Sequence, residues 1–211
     1  MTVSPLPIEQ HCRQYLVDNM LEDAAHDMAH VERVVSAARK LAQQESADLS
    51  IILPAAWLHD CINLPKNHPD RARASTYSAE HAIHFLDQHG YTAKQLSEIH
   101  HAIAAHSYSA GIAPRTLEAK IIQDADRLDA LGAIGTIRCL QVGQLLARPL
   151  YHSEDPFCQG RFPDDNAYTL DHFYTKLLKL SRTMNTQAGK LEAERRSQFM
   201  LQFLTQLSQE I

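Results

Sequence analysis

Apolar residues recur every three to four positions through most of the chain, the period of helices packed by one face. Over residues 8–21, Ile8, Cys12, Tyr15, Leu16 and Met20 fall near one side. A second stripe, Val31, Val34, Val35, Ala38 and Leu41, begins just after Asp27, a residue type suited to cap a helix N-terminus. A third helix is expected over 50–61, with Pro54 making its start irregular or kinked. Residues 64–73 are polar and proline-bearing and read as a loop. A fourth helix spans 75–89 and stops at Gly90. Thr92 followed by Gln95 has the spacing of a capping box and opens a fifth, running to Ala105. Residues 107–115, with Gly111 and Pro114, form a loop, and helical pattern returns over 116–147, broken near Gly132 and Gly135. Residues 148–167 carry Pro149, Pro156 and Pro163 and no period. Such a length of irregular chain is expected to be a lid, a binding loop or a mobile flap. Two last helices follow, over 169–180 and 187–208. No segment alternates with period two, so the fold class is all-α. Residues 1–211 read as a single domain, with a helical core over 8–147 on which the loop 148–168 and the C-terminal helices 169–211 pack.

Composition narrows the function. A length of 211 residues, 45% hydrophobic and 21% charged, suits an ordered soluble domain. With only 7 glycines, a glycine-punctuated all-β fold is disfavoured. The net charge of −5 disfavours duplex nucleic acid as a partner, although a local basic pocket for one small phosphate is compatible with it. No apolar run approaches a membrane span, and residues 1–10 lack the basic region of a signal peptide. The four cysteines, Cys12, Cys61, Cys139 and Cys158, form no metal-finger or C-x-x-C spacing and read as reduced thiols in a cytoplasmic protein. The outlier is histidine, with 13 scattered along the chain. Imidazole is a frequent metal ligand and general base, so this excess directs attention to metal chemistry.

Four places carry candidate chemistry: the run from His26 to His30, the pair His59-Asp60, the run from Gln123 to Asp129, and His100-His101 with His106. His59-Asp60 ends an apolar helix, where a carboxylate facing the core needs a strong partner. Successive helical side chains point about 100° apart, so an ion beside the helix end can take a nitrogen from one residue and an oxygen from the next. A second His and a second Asp from other helices would complete a four-ligand set. Mixed imidazole and carboxylate donors suit Mn²⁺, Fe²⁺, Co²⁺ or Ni²⁺, with Mg²⁺ as an alternative, rather than a closed structural zinc site. Each place alone has an ordinary explanation as a packed histidine or a solvated acidic face. Their combination is what distinguishes them.

His30, then His59-Asp60, then a distal Asp within Asp124-Ala125-Asp126-Arg127-Leu128-Asp129 resembles the H…HD…D signature of the HD-domain superfamily of metal-dependent phosphohydrolases. The runs His26-Asp27-x-x-His30-x-x-Arg33-Val34 and 123–135, and the tail from Asp171-His172-Phe173-Tyr174 through Met184 and Arg195, resemble a bacterial single-domain subgroup of it. The resemblance covers nearly the whole chain. It implies an HD-type helical bundle with extra C-terminal helices, one divalent ion (Mn²⁺ ranked first), and His30, His59, Asp60 and Asp126 as ligands. Asp124 and Asp126 face about 200° apart on a helix, so one of them reaches the ion. The Ala-Asp pattern of related families favours Asp126, with Asp124 as the fallback.

The chemistry so implied is hydrolysis of a phosphoester or phosphoanhydride of a small nucleotide. Lys66, Arg71 and Lys176 are the candidate phosphate contacts, and His106 and His101 the candidate catalytic residues, His106 as a general acid or as a partner orienting phosphate. His101 and His106 lie about 140° apart on a helix, so they do not both point into one site. Nucleoside triphosphate pyrophosphohydrolysis ranks first and a 5′-nucleotidase-like phosphomonoesterase second. A diiron oxygenase of the same fold and a non-catalytic signalling module are the alternatives of other classes. A homodimer stays open.

Overall fold

Several helix starts follow side chains able to cap them. In the computed structural model, which describes residues 7–19, 27–64 and 68–211, Asp27 Oδ1 accepts from His30 N at 2.7 Å and opens α2, Met28–Glu45. Asp48 Oδ1 accepts from Ser50 N at 2.8 Å and opens α3, Leu49–Leu58. Thr92 and Gln95 exchange the expected reciprocal bonds at the start of α5, Ala93–Ala104. With α1, Pro7–Asn19, α4, Ala74–Asp87, and α6, Leu117–Leu128, these helices build the all-α fold read from periodicity. There is no strand among the described residues. Met20, Leu21, His26 and Lys66 lie outside the described residues.

Close contacts divide the chain into two compact units, Met1–Asp126 and Arg127–Ile211. At the centre of the first lies α3, against which α1, α2, α4 and α5 pack. Its residues from Ile51 to Leu58 are all buried, as expected of a helix apolar on every side. The one acid buried on α1, Glu9, is met by Arg39 and by Trp57 Nε1 at 3.2 Å, which anchors α1 through charge-assisted bonds.

In the second unit α7, Gly132–Leu145, packs on α9, Gln187–Leu207. The expected break falls at Gly132, whose φ of +71° admits glycine without strain. Gly143 is required by a close approach: a Cβ there would lie 2.2 Å from Thr169 Oγ1. Residues 148–167 contain no helix, as read, but the segment is pinned rather than free. Thr169 N and Leu170 N donate to Pro149 O and Leu150 O, and the Arg161 guanidinium grips the buried Asp171 carboxylate at 2.5 and 2.7 Å. Beyond it, residues Phe173–Leu177 form a π-helical turn leading into α8, Leu178–Leu180. No helix of the described residues is long and apolar enough to cross a membrane.

Candidate metal centre

His30 sits in the first turn of α2, His59 and Asp60 follow the last turn of α3, and Asp126 lies near the end of α6, all within the first unit. The donor atoms of His30, His59 and Asp60 converge, and Asp126 approaches His30. His59 Nε2 lies 3.4 Å from His30 Nε2. Asp60 Oδ2 lies 3.6 Å from His59 Nε2 and 3.9 Å from His30 Nε2. Asp126 Oδ1 lies 3.6 Å from His30 Nε2. Ligands about 2.1 Å from one divalent ion stand roughly 3.0 Å apart when adjacent and up to roughly 4.2 Å apart when opposite, so the donor set and its spacing suit such an ion. One ligand atom from each of His30, His59 and Asp60 falls within 4.8 Å of the others.

Local structure aims these groups. His59 is fully buried and its Nδ1 donates to Ala56 O at 2.8 Å, which leaves Nε2 as the lone-pair nitrogen. Burial, with the neighbouring His106 and His30 rings, pushes its pKa down to about 4, against the opposing pull of Asp60 and Asp126. The imidazole is therefore neutral at pH 7, the ligating form. Asp27 fixes the backbone of His30 through the cap bond. Asp126 keeps 29% of its side chain exposed, whereas Asp124 is fully buried.

His106 joins the same cluster. Its Nε2 lies 3.2 Å from Asp60 Oδ1, its Nδ1 donates to Ile103 O at 2.7 Å, and its ring stands at 89° to that of His59. Both partners are acceptors, so both ring nitrogens carry hydrogen. Burial alone would lower its pKa, but the Asp60 hydrogen bond and the Asp60 and Asp126 charges outweigh it and raise the pKa to about 9. His101 makes a different contact: its Nε2 accepts from Arg115 N at 2.9 Å and ties down the loop 105–116. Burial and the Arg115 charge lower its pKa. The cause is the helix end: α5 stops between the two histidines, and only the later one turns toward Asp60.

Of the expected phosphate contacts, Arg71 donates through Nη1 to Asn63 Oδ1 at 2.6 Å and to Leu64 O, which staples the loop after Asp60. Lys176 is exposed in the π-helical turn of the second unit. Two serines went unread in the sequence. Ser78 Oγ bonds both Ile62 N and Ile62 O at 3.1 Å, holding the backbone just past Asp60. Ser75 Oγ donates to Ala104 O at 3.0 Å. Their signal was present as small polar residues three apart on the otherwise apolar face of Ala79, Ala82 and Leu86.

Comparison with known proteins places this geometry. The model of the HD domain family matches residues 28–131. The uncharacterized protein YpgQ of Bacillus subtilis is 34% identical over 194 residues, covering 90% of this chain and 86% of that protein. The crystal structure of B. subtilis YpgQ in complex with ADP superposes with a TM-score of 0.75 at 32% identity, over 96% of this chain and 97% of that one. The structure of an HD-superfamily hydrolase from Bacillus thuringiensis gives a TM-score of 0.76 at 34% identity, over 96% of each chain.

Proposed function

This chain belongs to the HD domain family, and on that premise we propose that it is a metal-dependent phosphohydrolase acting on nucleotides. The observation that carries the reading is the convergence of the His30, His59 and Asp60 donor atoms within 4.8 Å of one another, with Asp126 Oδ1 3.6 Å from His30 Nε2. These four are the proposed ligands of one divalent ion, with Mn²⁺ ranked first. Such an ion supplies Lewis acidity toward a phosphoryl oxygen and lowers the pKa of water. His59 contributes a neutral ring whose lone pair is aimed by Ala56 O. Asp60 and Asp126 contribute the negative charge that holds a cation, and their partial exposure leaves an approach for substrate. Arg71 and Lys66 follow Asp60 in the chain and are proposed to contact phosphate oxygens. Nucleotide as the substrate class is supported by the ADP complex of YpgQ, a protein that matches this chain along nearly its whole length.

Within that class, cleavage of nucleoside triphosphates between the α- and β-phosphates is the first expectation. It is tested by incubating the protein with Mn²⁺ and a panel of nucleoside mono-, di- and triphosphates, separating pyrophosphate from phosphate among the products. Pyrophosphate with a nucleoside monophosphate supports the reading. Phosphate from monophosphates alone would replace it with a phosphomonoesterase. No release from any nucleotide would refute it.

A further inference from the structure

We propose that His106 is a positioning residue: it holds Asp60 Oδ1 so that Oδ2 is presented to the His30–His59 pair. The inference rests on the metal-centre reading above and deepens it. A carboxylate that follows the last turn of a helix can rotate, and only one of its oxygens is needed at the ligand position. Here the two oxygens are divided. Oδ1 lies 3.2 Å from His106 Nε2, while Oδ2 faces His59 and His30 at 3.6 and 3.9 Å.

His106 is itself held from several sides. It is 4% exposed, and Nδ1 donates to Ile103 O at 2.7 Å. The two carbonyls that precede it are each fastened by another helix. Ser75 Oγ from α4 donates to Ala104 O at 3.0 Å, and Gln123 Nε2 from α6 donates to Ala105 O at 2.7 Å. The ring is thus fixed relative to α4, α5 and α6 before any ligand arrives, which is the property a support for a metal ligand needs. The geometry also speaks against a general acid, because both ring nitrogens are committed to protein acceptors while Asp60 is held.

The test reads metal binding rather than turnover. Mn²⁺ is titrated calorimetrically into metal-stripped wild type, His106→Ala, His106→Leu and His106→Gln, with thermal unfolding checking that each folds. The alanine and leucine variants are expected to bind Mn²⁺ about 10–100-fold more weakly, the range for loss of a partner that orients a ligand. His106→Gln places an amide donor where Nε2 stands and is expected to recover most of the affinity. His106→Leu fills the space without a donor and reads the same loss if the alanine variant does not fold. Wild-type affinity in both the leucine and alanine variants would overturn the proposal. So would two Mn²⁺ per wild-type chain falling to one in the variants, which would make His106 a ligand. Absence of divalent-ion binding by wild type would instead refute the metal centre, and the proposal with it.

Discussion

Arg161→Met is expected to destabilise the second unit by about 3 kcal/mol at pH 7, because it strips a buried carboxylate of its cation. Asp171 has no exposed surface and accepts from Arg161 Nη1 at 2.5 Å, from Arg161 Nη2 at 2.7 Å and from Asp164 N at 2.6 Å. Methionine keeps most of the aliphatic stem and removes only the guanidinium. Breaking a buried pair from one side costs about 3–5 kcal/mol. The Arg161 side chain keeps 19% of its surface, so water can reach the vacated place and the low end of that range applies. Asp171→Asn in the same background should recover much of the loss, since a neutral amide needs no counter-charge. The sign with pH follows from the carboxylate. Burial pushes the Asp171 pKa up, but Arg161 and the backbone of Asp164 outweigh it and leave it below the ordinary 3.8. The ion pair therefore contributes fully above pH 3.8 and its contribution is lost as the pH falls. Urea unfolding of wild type and variant, followed by circular dichroism at pH 7 and again below pH 3, measures both. A difference under 1 kcal/mol at pH 7, or one that does not shrink in acid, would refute the account.

Asp126→Asn is expected to abolish stoichiometric Mn²⁺ binding while Asp124→Asn retains it; elemental analysis of the two proteins decides, and the opposite pattern would exchange their roles. Saturating Mn²⁺ is expected to raise the melting temperature, by the equivalent of about 2.7 kcal/mol at one hundred times the dissociation constant. The shift should vanish on adding a chelator and be missing in His59→Ala. Gly143→Ala is expected to destabilise by about 1–3 kcal/mol, since its Cβ would stand 2.2 Å from Thr169 Oγ1 and 2.5 Å from Thr169 Cγ2. An unchanged urea midpoint would show that the α7–Thr169 approach relaxes freely.

What the sequence made legible was local. Asp27, Thr92 and Gln95 cap helices through bonds that reach at most three residues. Gly132 ends a run because the backbone there is left-handed. The His-Asp pair was legible because an acid at the end of an apolar helix demands a partner. Less legible were features set by tertiary context. Periodicity alone could not choose between Asp124 and Asp126, because both lie on a helix with more than one buried side. His101 and His106 could not be separated either, since their difference lies in where α5 stops. The segment 148–167 resembled a flap because nothing in its own residues announces that Arg161 will meet a carboxylate buried 10 positions later. The π-helical turn at Phe173–Leu177 was invisible for a similar reason: a shifted hydrogen-bond register has no compositional mark.

His59 and His106 share a device: each Nδ1 is bound by the carbonyl three residues earlier, Ala56 O and Ile103 O. Those oxygens belong to the main chain, and no single substitution can delete them. The aim of both rings is thus inherited first with the helix ending itself, to which Ser75 and Gln123 add their hold on the backbone before His106. For anyone transplanting the centre into another helical scaffold, the part to copy is the geometry of two helix termini. At the second terminus Ser75 and Gln123 go with it.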